Sequence, residues 1–179
     1  MPSIGNLRPI REEELELMLS WRNDPSIRAN MYTQHEISIN EHLAWWKKIS
    51  KCEDHKYFMY ERFDSPMGIV AFNSIDKING HAFWAFYASP KAPRGTGTRM
   101  EFLALEYAFH TLNLHKLSCE VLAFNSKVIK LHQKFGFVVE GVFRAQHKIE
   151  NNFVDVYRLG ILNDEWDMIR MTMQEKLKK

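Results

Sequence analysis

Arg94, Gly95, Thr96, Gly97, Thr98 and Arg99 follow one another without a break, and that pattern suits an anion site. Glycines let a backbone turn sharply enough for consecutive N–H groups to converge on one phosphate. A helix that opens there points the positive end of its dipole at the same spot, and Arg94 and Arg99 add formal charge. A second chemistry-bearing group stands earlier in the chain: Arg22, Met31, Tyr32, His42 and Trp45, with Trp46 beside it. Helical spacing sets His42, Trp45 and Trp46 on adjoining faces. Packing in the core accounts for one of the tryptophans. As a set these residues also suit a flat base and a diphosphate, because aromatic rings stack on bases and arginine pairs with phosphate. A third group follows the glycine turn, namely Glu120, Asn125, Lys127, Lys130 and His132. A carboxylate on a central strand is costly to bury without a partner or a task. Asparagine favours helix N-caps, lysines near a helix start face phosphates or solvent, and a histidine can donate a proton near neutral pH.

The elements that must position these groups are legible around them. Ala82 to Ala88 reads as an apolar, aromatic strand that breaks at Ser89-Pro90 and Pro93, and an amphipathic helix follows from about Arg99 to Thr111. Lys116 to Val121 is a short strand leading through Asn125-Ser126 to a helix, Val128 to Phe135, and then to Gly136-Phe137. On alternation, Glu120 and Leu122 face opposite to Cys119 and Val121, so one set is buried. Upstream, Asn6 to Ile10 is a first strand and Arg11 to about Trp21 a helix with Leu15, Met18 and Leu19 on its apolar face. Pro25 stops that helix. The segment from Ser26 to Ile37 has no clean period and reads as a substrate-facing loop or an irregular helix. Ser38 and Glu41 form a capping box for a second helix. Tyr57 to Arg62 and Met67 to Ile75 alternate as antiparallel strands around a turn. Val138 to Phe143 is a strand, Glu150-Asn151-Asn152 turns the chain into a last one, Phe153 to Leu162, and Asp164 to Lys178 is a terminal helix. Trp166, Ile169 and Leu177 face inward on it.

The length of 179 residues fits a single domain, 1–179, able to bury a core without disulfides or metal. Basic and acidic residues, 24 against 22, nearly balance, which gives no nucleic-acid signature. Cys52 and Cys119 lack metal spacing and suit a reducing compartment. The first residues carry no apolar signal core and no apolar run approaches a membrane span. The expectation is a cytoplasmic protein with neither membrane nor nucleic-acid partners and no bound metal.

Two units taken together carry a family resemblance. Arg94-x-x-Gly97-x-Arg99 after the aromatic strand, and Val121…Asn125…Gly136-Phe137 after it, resemble the two central motifs of the GNAT superfamily of N-acetyltransferases. Arginine stands at position 99 where that family has a small residue. The resemblance implies an α/β (α+β) chain with a central mixed, mostly antiparallel sheet of about seven strands and helices on both faces. It implies acetyl-CoA as acetyl donor, held by the turn from Arg94 to Arg99, by the peptide groups of Phe86, Tyr87 and Ala88, and by Asn125 and Lys130. Most members carry a tyrosine four residues before the Gly-Phe pair that protonates the leaving thiolate; here that residue is His132. Glu120 lies beside the implied transfer point and can take a proton from the substrate ammonium, directly or through a water.

The substrate-side pattern resembles the GNAT subfamily that acetylates the 4-amino group of UDP-linked 4-amino-4,6-dideoxy-N-acetyl-altrosamine in pseudaminic acid biosynthesis, which supplies a sugar for flagellin glycosylation. That likeness implies substrate roles for Arg22, Met31, Tyr32, His42, Trp45 and Tyr87, and direct attack of the amine on the thioester. Ribosomal-protein N-terminal and aminoglycoside-type acetyltransferases are the neighbouring alternative, because Trp21-Arg22-Asn23-Asp24-Pro25 suits them as well. A non-catalytic acetyl-CoA-binding module is the third reading. A homodimer is expected by analogy, with Phe153 to Leu162 as its edge.

Overall fold

A computed structural model describes residues 4–178. Most strands form where apolar residues alternate or run together. The strands are β1 (Asn6–Pro9), β2 (Lys56–Arg62), β3 (Ser65–Asp76), β4 (His81–Ala88), β5 (Lys116–Leu122), β6 (Val138–Ile149) and β7 (Asn152–Leu162). All seven join one sheet in the order β1-β2-β3-β4-β5-β7-β6. Every pairing is antiparallel except β4 with β5, so the sheet is mixed and mostly antiparallel, as expected. One expectation is corrected here. β7 is hydrogen-bonded to β5 on one side and β6 on the other, so it is an interior strand and the free edge belongs to β6.

The helices are α1 (Leu15–Asn23), α2 (Pro25–Arg28), α3 (Ile39–Ile49), α4 (Thr96–Glu106), α5 (Ser126–Lys134) and α6 (Asn163–Lys178). Several boundaries move for local reasons. Glu14 takes Arg8 at 2.6 and 2.8 Å and the Arg11 backbone N–H at 2.9 Å, which tightens Glu12–Glu14 into a 3-10 turn before α1 begins. Pro25 does more than stop α1. It occupies the first turn of α2, where its missing N–H is no loss, and the Asp24 carboxylate caps that turn through Ser26 N–H at 2.9 Å. At α3 the Ser38 hydroxyl accepts from Glu41 N–H at 3.2 Å, but the Glu41 carboxylate turns to His35 at 3.1 Å, so half of the capping box forms. α4 starts at Thr96 rather than Arg99 and closes in a single π-helical turn, Tyr107–Thr111. β6 runs past Phe143 through a bulge at which Ala145 has φ 51°.

Neighbouring residues on a strand serve different apolar clusters. Met59 and Ile69 pack with Met18 and Trp21. Tyr60 and Val70, the next residues along, pack with Trp84, Met100, Leu105, Phe135 and Trp166. Side chains alternate across a strand, so α1 and α3 cover one face while α4, α5 and α6 cover the other. The parallel pair β4–β5 is hydrogen-bonded only over His81–Phe83 and Lys116–Ser118. Beyond Phe83 the strands part, and the β4 backbone up to Ala88 keeps its ladder to β3 alone.

Candidate active site

The gap between the parted strands is a cavity of about 270 Å³. Trp84 to Ala88 of β4 line one side, Cys119, Glu120 and Val121 of β5 the other, and Asn125, Val128 and His132 close it from α5. Between Leu117 and Leu122 every residue of β5 is buried except Glu120. The expectation of one buried alternate set therefore gives way to a strand covered on both faces and open at a single carboxylate. Glu120 accepts from the Tyr32 hydroxyl at 2.7 Å and from Arg158 at 3.2 Å. Burial, with the Glu120 contact second, pushes the Tyr32 phenol up, so Tyr32 donates. Arg158 is itself braced over the Phe83 ring at 3.9 Å.

His132 is 2% exposed, with Trp84, Phe86 and Phe137 around its ring at centroid distances of 5.3, 6.0 and 5.2 Å. Its Nδ1 lies 2.8 Å from Glu101 Oε1 on α4. Asn125 occupies the N-cap of α5 without a side-chain cap bond, so its amide remains for the cavity. At the mouth of α4, Gly95 sits at φ 89°, a left-handed conformation that favours glycine. A Cβ on Gly97 would meet the Phe86 ring at 3.3 Å, so its absence lets the helix start close on β4. Gly97 and Thr98 fall in the first turn, whose N–H groups have no partner within the helix. Thr96 is buried, and its hydroxyl donates to Pro93 O at 2.7 Å rather than facing outward. Arg94 is exposed. The Arg99 side chain folds back so that Nη1 lies 2.9 Å from where a Gly95 Cβ would sit. Lys127 and Lys130 are exposed on α5, outside the cavity lining.

A second cavity, about 320 Å³ and largely apolar, opens on the face covered by α1 and α3. Met18, Arg22, Met31, His42, Trp45 and Tyr87 line it together with Tyr57 and Asn73. It shares Met31, Ala85, Phe86 and Tyr87 with the first cavity, so the two meet at β4. Trp45 stacks on His42 at 5.4 Å and meets the Tyr57 ring edge-on at 5.1 Å. Of the pair, Trp45 is half-buried and packs against the core cluster of Met18, Trp21, Met59 and Ile69, and Trp46 is half-buried; the fully buried tryptophans are Trp21, Trp84 and Trp166. Three buried polar atoms in this wall have no partner among the described residues: Arg22 Nη1, His42 Nε2 and Tyr87 Oη. Burial lowers the His42 pKa, outweighing a hydrogen bond with the Leu15 backbone, and raises that of Tyr87. Burial also lowers Arg22, yet a guanidinium stays charged, and its Nη2 is held by Thr33 O at 3.2 Å.

The GNAT acetyltransferase domain model matches residues 6–138. The chain belongs to the GNAT acetyltransferases. It is 30% identical over 139 residues to acetyltransferase PseH of Campylobacter jejuni, covering 78% of this chain and 86% of that one. It is 27% identical over 169 residues to spermidine N(1)-acetyltransferase of Escherichia coli, covering 93% and 91%. A crystal structure of spermidine N-acetyltransferase from Vibrio cholerae in complex with CoA and spermine superposes with a TM-score of 0.84 at 26% identity, over 90% of this chain and 96% of that one. This GNAT enzyme is thus an N-acetyltransferase with acetyl-CoA as donor. The parted strands, the glycine turn and the uncapped Asn125 fit such a donor, which supplies the activated acetyl group when bound.

The sequence reading missed the groups that hold its candidates in place. Glu101 stands one helical turn from Ala104 and Leu105, which are fully buried, and a carboxylate on an apolar helix face was the signal for it. Arg158 and His147 gave no such signal. His147 comes within 4.9 Å of the Tyr32 ring only because of the bulge in β6. Elsewhere, Cys52, Asp54 and His55 bring ligand-type atoms within 4.8 Å of one another, with His55 Nδ1 already 2.9 Å from Asp54, outside both cavity linings. Among the described residues no helix is long and apolar enough to cross a membrane.

Proposed function

We propose that this enzyme, acting as one acetyltransferase domain, acetylates the 4-amino group of a UDP-linked 4-amino-4,6-dideoxy sugar in a pseudaminic acid pathway serving flagellin glycosylation. The observation that carries this reading is Arg22 Nη1, a buried cationic donor left unpaired in the wall of the acceptor cavity. An unpaired buried charge is costly, and an anionic acceptor relieves that cost, whereas a polyamine would meet a like charge. Neutral His42 offers an acceptor nitrogen and Tyr87 a hydroxyl beside it, while Trp45 and Tyr57 supply faces for a base. The PseH likeness points the same way.

In this reading Glu120, oriented by Tyr32 and Arg158, takes the proton of the acceptor ammonium. The peptide groups from Phe86 to Ala88 hold the donor arm and polarise the carbonyl, and His132 returns a proton to the departing thiolate. The phosphates meet the first-turn N–H groups of α4 together with Arg94 and Arg99. The spermidine-acetylating relatives make a polyamine the competing acceptor, and Glu41 in the cavity wall would receive it. Release of free thiol from acetyl-CoA is compared with a UDP-linked 4-amino sugar, with spermidine and with a basic N-terminal peptide. Turnover with the sugar is expected; turnover confined to spermidine or the peptide refutes the proposed acceptor.

A further inference from the structure

Glu101 is a fully buried carboxylate in the middle of α4, between Met100 and Phe102 and against the Cys119 side of β5. Its burial holds its pKa above the ordinary carboxylate range, against the pull of His132. Oε1 meets His132 Nδ1 at 2.8 Å, and Oε2 has no partner among the described residues. Such a group is an expensive way to fill a core. Among the described residues its side-chain hydrogen bond is to His132, the one histidine that lines the donor cavity.

The other groups facing that imidazole are few. From β4 come Trp84 and Phe86, and from the turn after α5 comes Phe137. From β5 comes Cys119, whose thiol burial pushes well above its usual pKa; Glu120 lines the same cavity from the opposite side of the strand and is engaged by Tyr32 and Arg158. α5 itself adds Val128 to the cavity. Glu101 is therefore the carboxylate in direct contact with the ring, and it occupies Nδ1. The nitrogen left without a protein partner among the described residues is Nε2, on a ring that lines the cavity.

We infer that Glu101 is the positioning residue for thiolate protonation: it fixes the Nδ1–H of His132 and stabilises the imidazolium, so that the proton delivered to sulfur leaves from Nε2. This rests on the reading of His132 as the acid. As the C–S bond breaks, its electron pair goes to sulfur, the Nε2–H bond breaks and an S–H bond forms. The imidazole is left as the Nδ1–H tautomer, still held by the carboxylate. The acceptor nitrogen loses two protons, one before it attacks and one after the new C–N bond forms; both leave through Glu120 to solvent, and His132 regains its Nε2 proton from solvent. Most family members do this step with one tyrosine; a histidine needs a second residue, because its two nitrogens must be told apart.

The test combines kinetics with a measurement that needs no acceptor. CoA release is followed across pH with the UDP-linked 4-amino sugar for wild type, Glu101→Gln, His132→Gln and the double variant. The His132→Gln amide can still donate to Glu101 and keeps the pair filled. Glu101→Gln is expected to lower kcat about 10- to 100-fold, leave KM for acetyl-CoA unchanged and move the alkaline fall of the profile to lower pH. In the His132→Gln background the same change should cost less than about twofold, as expected of residues acting as one unit. Equal losses in both backgrounds, or an unmoved profile, overturn the inference. Nitrogen NMR of wild type with CoA bound should show His132 as the Nδ1–H tautomer once neutral. A neutral ring protonated at Nε2 instead overturns it whatever acceptor the enzyme uses. Wild type silent with the sugar but showing the Nδ1–H tautomer refutes the acceptor alone and supports Glu101.

Discussion

Arg22 concentrates the acceptor question in a single side chain. One of its terminal nitrogens is tied to Thr33 O and the other is unpaired. Arg22→Met keeps the apolar volume and removes the charge. Steady-state kinetics should then show KM for the nucleotide sugar raised about 10- to 100-fold, the worth of a charged hydrogen bond, with KM for acetyl-CoA unchanged. An unchanged acceptor KM would remove Arg22 from the site. His42 tests the same wall through pH. Burial sets its folded pKa below the unfolded value of about 6.5. As pH falls through that value the unfolded chain takes up a proton that the folded chain resists, so stability is full above it and lost below. Thermal melts should therefore show wild type losing more stability than His42→Asn between about pH 6.5 and more acid values. At this scale the sequence revealed residue types but not partners. Glu120 and His132 stood out as chemistry in unusual places, whereas Arg158 and Glu101, which hold them, lie 38 and 31 residues away along the chain. Only the fold brings each pair together.

Elements were more legible than contacts, because alternation and helical period are local properties. The departures cluster where a side chain redirects the backbone. Glu14 tightens the start of α1, Pro25 begins α2, and Glu41 leaves its cap for His35. The same is true of the donor turn, where α4 starts at Thr96 because Gly95 can adopt φ 89°. Gly95→Ala should destabilise the fold by about 1–2 kcal/mol, the penalty of a left-handed alanine. Its Cβ also meets Arg99 Nη1 at 2.9 Å, so the guanidinium must move. Urea melts should register the first effect, and a raised KM for acetyl-CoA the second. Normal stability with normal KM would mean that the turn has another way to close. The extension of β6 and its bulge were beyond local reading, since Arg144, Ala145 and Gln146 carry no turn signature. Pairing with β7 supplies the reason for the strand to continue.

At the scale of the whole molecule, topology came through the family resemblance together with the order of strands and helices. The place of β7 did not, because both neighbours of a strand are decided by the sheet and not by the strand. The cavity between β4 and β5 opens at the point where their hydrogen bonds stop, so a molecule bound there ties two halves of the sheet together. CoA at 100 times its dissociation constant should add about 2.7 kcal/mol to the folded state. That raises the melting temperature by roughly 5–10 °C for a chain of this size. Differential scanning calorimetry with and without CoA checks this, and no shift would mean that the folded chain does not bind CoA in preference to the unfolded one. The gap has one more consequence. The glycine turn and α5 approach it from one face of the sheet, and the Arg22 wall approaches from the other, with Phe86 and Tyr87 as the shared boundary. In the proposed reading each ligand has its own doorway, so neither must leave before the other arrives. Initial-rate lines for the two substrates should intersect rather than run parallel, and an acceptor covalently joined to CoA through its amine should thread the sheet and shut both doorways at once.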